Sequence, residues 1–144
     1  MLNRSVEALD GGFREKLEKM LLDLGRRWSV LGYKPMVVET KRALATQMAY
    51  YSRGRCPVEV VKEFFKAAGL WSLTDKEAGQ TVTWTMESKH LVGKAADVVP
   101  SKDGKTPDWS APAAVWNEMG QAAKTHGLVW GGGWQKRDNP HVEV

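Results

Sequence analysis

Two histidines and two aspartates fall in a pattern that can bind and use a divalent metal ion. The segment Ser88-Lys89-His90-Leu91-Val92-Gly93-Lys94-Ala95-Ala96-Asp97 sets an imidazole and a carboxylate seven positions apart, and both groups are good zinc ligands. A continuous strand would separate them by roughly 23 Å and a continuous helix by roughly 10 Å, whereas each ligand atom must lie about 2 Å from a shared ion. The chain must therefore reverse between them if both bind. Gly93, where a positive φ costs little, is the expected place.

The second cluster is Asp138-Asn139-Pro140-His141. Pro140 disfavours helical geometry at Asn139, so the stretch reads as a turn entering a final strand. With His90 and Asp97, His141 makes three protein ligands and leaves a fourth tetrahedral position for water, the build of a catalytic zinc site. Asp138 is then free to act on that water. Taken singly, each histidine reads more simply as hydrogen-bonded at a core edge; their joint spacing with Asp97 and Asp138 favours the metal. Glu143, two residues past His141, shares its face in a strand and is read either as a second-layer group orienting that ligand or as an ordinary terminal charge. His126 precedes Gly127 at a helix end, where a cation suits the dipole, and is left out of the site.

The elements that must position these groups follow from periodicity. Phe13, Leu17, Leu21, Leu24 and Trp28 predict an amphipathic helix ending near Arg27, preceded by a short turn capped by Ser5. Met36-Val37-Val38 reads as a short strand, residues 43–51 as a helix closed by Gly54, and Val58, Val61, Phe64, Phe65 and Ala68 as a helical face ending at Gly69. Residues 81–85 are β-branched and aromatic, which predicts a strand. Ser110 and Pro112 mark the start of a helix through Val115, Trp116 and Met119 to Gly127, and residues 141–144 close the chain as a strand. Trp130 and Trp134 read either as groove walls or as core edge. This order predicts an α+β fold, a small central antiparallel sheet flanked by helices.

A chain of 144 residues with 42% apolar content fits one domain, 1–144, with little room for a second. The lone Cys56 excludes an intramolecular disulfide. The amino terminus turns polar at once, so the reading is synthesis in the cytoplasm without a signal peptide and without stable membrane insertion. A net charge of +4 favours anionic partners, but acids and bases are interspersed as on a solvated surface.

The pattern Ser88-x-His90-x-x-Gly93-x-Ala95-x-Asp97, followed by Asp138-x-x-His141-x-Glu143, resembles the metal-site signature of the M15 peptidases, which share the hedgehog/D-Ala-D-Ala peptidase fold. Arg42, Gln47, Tyr50-Tyr51 and Gly54-Arg55 are similar to an upstream block of that family, Gly127-Leu128-Val129-Trp130-Gly131-Gly132 to its Gly-Leu-x-Trp-Gly-Gly segment, and Asn3-Arg4-Ser5 to Leu9 to the opening of its phage endolysin branch. Thr40-Lys41 departs from the more usual Gly-Tyr, residues 56–79 are longer and more helical than in minimal members, and the base is aspartate, as in the endolysins.

The resemblance implies one zinc ion held by His90, Asp97 and His141, with Asp138 as general base and acid. It further implies Arg42 as oxyanion donor, with Gln47, Ser88 and Trp134 as substrate contacts. The substrate implied is the bacterial peptidoglycan stem peptide, cut at L-Ala-D-Glu by a monomer that reaches the wall from the host cytoplasm through a separate pore-forming protein. Three alternatives stand beside it: a D,D-carboxypeptidase or dipeptidase acting on D-Ala-D-Ala, a non-catalytic zinc-stabilised binding module, and a basic, tryptophan-rich nucleic-acid binder. A three-ligand site beside Asp138 argues against the second. The interspersed charge argues against nucleic acid as a partner.

Overall fold

The computed structural model describes residues 2–144; Met1, the first of the amino-terminal residues read above, lies outside them. Helix α1 spans Gly11–Ser29, and its N-cap is Asp10, whose side chain accepts from the Phe13 N–H. Ser5 instead donates its hydroxyl to Glu7. Phe13, Leu17, Met20, Leu24 and Trp28 form the buried face. Met20, rather than the expected Leu21, takes the central position because the true period carries that residue inward. Each such side chain contributes about 1.5–3 kcal/mol on burial. The Trp28 indole N–H donates to the Val115 carbonyl at 2.8 Å and locks α1 onto the last helix.

Strand β1 is Lys34–Glu39 and strand β2 is Ala95–Ser101. Short strands β3 (Val129–Trp130) and β4 (His141–Glu143) complete a four-stranded antiparallel sheet in the order β1-β2-β4-β3. Ala96, Val98 and Val142 enter a core shared with α1 and with the later helix, Ala113–Thr125. Their strand neighbours Asp97 and His141 alternate to the other face, where the registers set them directly opposite one another. The β1–β2 register shifts between Val37 and Glu39, so that Glu39 rather than Val38 faces Asp97. A bulge next to a site commonly re-aims a side chain in this way.

A second, smaller cluster is built from helices α2 (Leu44–Ser52), α3 (Val58–Ala67) and α4 (Asp75–Ala78), with the last of the helices, α5, being Ala113–Thr125. Ala49, Val61, Phe65, Leu73 and Ala78 form its centre. Tyr50, Phe65 and Trp71 pack as a tilted and edge-on aromatic trio. Helix α4 is held by a complete capping box between Thr74 and Glu77.

The strand expected at residues 81–85 does not form. Among the described residues no strand pairs with it, and the segment runs as irregular chain against α2, where the buried Gln47 amide donates to the Thr85 carbonyl at 2.7 Å. Composition alone cannot supply the ladder partner that a strand requires. Among the described residues no helix is long and apolar enough to cross a membrane.

Candidate metal centre and active site

His90 enters the site on a single 3-10 turn, Lys89–Val92, that ends at Gly93 with φ of 71°. This is the chain reversal expected from the seven-residue spacing. Ser88 caps the turn, accepting from the His90 N–H at 3.3 Å. The His90 ring is 2% exposed and its Nδ1 lies 2.7 Å from the Thr40 carbonyl. A carbonyl can only accept, so Nδ1 carries the proton and Nε2 presents its lone pair.

Asp97 and His141 arrive from paired positions on β2 and β4. Glu143 lies 2.9 Å from His141 Nε2, so that nitrogen is the donor and Nδ1 faces the site. His90 thus offers Nε2 and His141 offers Nδ1, each set by a partner on the opposite ring nitrogen. Asp97 Oδ1 lies 3.4 Å from both. The three ligand atoms all fall within 4.8 Å of one another.

Two atoms of this cluster, His90 Nε2 and Asp97 Oδ1, are buried without a hydrogen-bond partner. Each such atom costs about 1–3 kcal/mol unless something satisfies it. A divalent cation does so, and two imidazoles with one carboxylate suit zinc-type ions. Burial works to raise the Asp97 carboxyl, but the imidazoles of His141 and His90, each 3.4 Å from Oδ1, outweigh it and hold the group well below the usual carboxylate range. Burial likewise disfavours charge on His141, yet the adjacent carboxylate of Asp97 raises its pKa above the ordinary value. A cation at this point would compete with protonation of His141.

Asp138 sits beside the cluster, its Oδ2 3.8 Å from His141 Nδ1 and its side chain 51% exposed. Partial removal from water, followed by repulsion from Asp97, pushes its pKa up. That moves it in the direction a general base near neutrality needs. The turn carrying Asp138 and His141 is braced by Trp130, whose indole N–H donates to the Asn139 carbonyl at 2.7 Å. A Cβ on Gly131 would lie 2.6 Å from the Asp138 carbonyl oxygen and 3.1 Å from His141 Cβ, and one on Gly132 would meet the Trp130 ring at 2.0 Å. The glycines are there because the turn and the indole fill the space their side chains would take. Trp134 leans on His141, with ring centroids 5.1 Å apart.

Arg42 lies in the loop between β1 and α2, its side chain only 9% exposed. Its Nε donates to the buried Glu39, its Nη1 donates to Gln47 Oε1 at 2.7 Å, and its guanidinium lies 4.7 Å from the Tyr50 ring centroid. Burial opposes the charge on Arg42, but Glu39 more than compensates. Among the described residues Nη2 has no acceptor and remains available as a donor. Gln47 is fully buried and spends its amide on Arg42 and Thr85, so it positions those groups. Sequence reasoning passed over Glu39 and Thr40. A charged residue at a strand end gives no sign of burial, and Thr40 acts through its backbone.

The α+β domain thus brings together a His–Asp–His cluster that could hold a metal ion, with Asp138 as a flanking carboxylate. Residues 81–144 match the model of the M15 peptidase family described as D-alanyl-D-alanine carboxypeptidase. Over 61 residues the chain is 48% identical to the L-alanyl-D-glutamate peptidase of Listeria phage A118, a match taking in 41% of this chain and 21% of that relative's length. The whole chain superposes on 88% of the crystal structure of the Serratia marcescens L-Ala D-Glu endopeptidase ChiX, with a TM-score of 0.57 and 21% identity, which establishes a shared fold.

Proposed function

We propose that this chain is a zinc-dependent peptidoglycan endopeptidase that hydrolyses the L-Ala-D-Glu bond of stem peptides, in the manner of a phage endolysin. The observation that carries the reading is the convergence of His90, Asp97 and His141 on one point with Asp138 beside it. The activities named for the phage and Serratia relatives support the choice of bond.

His90 Nε2, Asp97 and His141 Nδ1 would hold a zinc ion, which when bound would supply Lewis acidity toward a peptide carbonyl and lower the pKa of water toward neutrality. Asp138 takes the proton released as water adds to the carbonyl and returns it to the departing amine, a role worth roughly 10²–10⁴-fold. Its raised pKa suits both halves of that cycle. Arg42, held rigid by Glu39 and Gln47, directs a donor at the developing oxyanion, worth about 3–4 kcal/mol. Ser88 and Trp134 border the site and serve as substrate contacts. Ser88 also caps the His90 turn.

A second reading, removal of terminal D-Ala, is favoured by the description of the matching family model. Mass spectrometry of digested peptidoglycan separates the two. New amino-terminal D-Glu is the expected product, and release of D-Ala alone contradicts the endopeptidase.

A further inference from the structure

The ligand His90 is gripped by a part of the chain far from the other ligands in sequence. The Asn3 carbonyl accepts two hydrogen bonds from Thr40, one from the backbone N–H at 2.7 Å and one from the hydroxyl at 3.1 Å. Thr40, fully buried, in turn presents the carbonyl that fixes His90 as its Nδ1–H tautomer. Asn3 is itself held, because its side chain accepts from the Ser5 N–H at 2.9 Å. At the other end of the same segment, the Asp10 N–H donates to the Gly93 carbonyl at 2.9 Å. The fit there is close enough that a Cβ on Gly93 would sit 3.0 Å from the Asp10 nitrogen and 3.3 Å from the Ala8 carbonyl oxygen. Between these two attachments, Leu9 is anchored in the main core.

Residues 3–10 therefore embrace the His90 turn from both sides. We propose that this amino-terminal arm is a positioning element for the metal ligand: it holds Thr40 and Gly93 so that His90 Nε2 points at the ion in the correct tautomer. The inference rests on the reading of His90 as a metal ligand. An arm that merely stabilised the fold would need only Leu9 in the core and the Asp10 cap. Two hydrogen bonds from Thr40 to one carbonyl, backing the one carbonyl that orients the ligand, go beyond that need. Groups that orient a ligand in this way typically change metal affinity by about 10–100-fold when lost.

The test uses a deletion of residues 2–5, which removes the Asn3 carbonyl and keeps Leu9 and Asp10, together with the pair Thr40→Val and Thr40→Ser. Zinc affinity is read by competition with a chromophoric chelator, and the His90 Nδ1–H is read as a slowly exchanging proton in nitrogen-resolved NMR spectra of the metal-free protein. The deletion is expected to weaken zinc binding by about tenfold or more and to speed exchange of that proton. Thr40→Val is expected to move both readouts in the same direction, and Thr40→Ser to restore both. If the deletion does not fold, the Thr40 pair carries the test. Variants that melt earlier yet keep the unaltered affinity and the protected proton would show the arm to be structural only, and would overturn the proposal. Failure of the unaltered chain to bind zinc would instead overturn the metal reading itself, and the proposal with it.

Discussion

The two hydrophobic clusters of this molecule serve the site in different ways. The larger one, formed by α1, the sheet and α5, carries Asp97, Asp138 and His141 on strands or on a turn braced by Trp130. The smaller one, formed by α2, α3 and α4, carries Gln47 and Tyr50, which hold the guanidinium of Arg42. Metal ligands need placement within tenths of an ångström, and antiparallel register delivers it. A donor aimed at substrate tolerates a smaller scaffold, provided that the donor is itself gripped, as Glu39 and Gln47 grip Arg42. On the proposed function, the ligand set and Asp138 thus belong to the larger cluster and the Arg42 donor depends on the smaller one.

The largest effect is expected on the turn that the larger cluster carries. Asp138→Asn should lower turnover by roughly 10²–10⁴-fold with zinc affinity nearly unchanged, as read by wall lysis alongside chelator competition. Parallel loss of zinc would mean that Asp138 belongs to the ligand set. Next, Phe65→Ala empties the middle of the smaller cluster and should cost about 3–5 kcal/mol of stability. At temperatures where this variant stays folded, zinc affinity should hold while activity falls through Arg42. Equal loss of both in a calorimetric and kinetic comparison would break the division between regions.

A smaller effect is expected within the metal half. Gly131→Ala places a methyl group 2.6 Å from the Asp138 carbonyl and should weaken zinc about tenfold, as for other lost outer supports, with the smaller cluster untouched. The smallest effect belongs to a loop outside both regions. The backbone N–H groups of Thr106 and Lys105, with the Ser101 hydroxyl, lower the Asp103 carboxyl from an ordinary 3.8 to about 2. Its contribution to stability is therefore present above pH 3.8 and fades as pH falls toward about 2. Asp103→Asn should melt slightly earlier than the unaltered chain at pH 6 and match it below pH 2. A constant difference across that range would assign the effect to something other than ionisation.

The metal half was legible in the sequence because its constraints are local and chemical. Seven residues between His90 and Asp97, with Gly93 inside, admit few geometries, and the structure adopts the reversal this spacing requires. Pro140 likewise marked the turn before β4. The smaller cluster was less legible. Residues 81–85 have strand composition but no strand beside them, so tertiary context left them irregular. Arg42 could be read as an exposed helix residue or as a donor, and only the bulge that turns Glu39 toward Asp97 shows it to be buried and paired. Thr40 orients His90 through a backbone carbonyl, a role that side-chain identity cannot signal.

The most direct test of the account is elemental analysis of the purified protein, paired with wall lysis before and after chelation. The account predicts one equivalent of zinc, loss of lysis on its removal, recovery on its return, and neither metal nor lysis in His90→Ala or His141→Ala. Full lysis by metal-free protein, or an undiminished equivalent of zinc in either histidine variant, would contradict it.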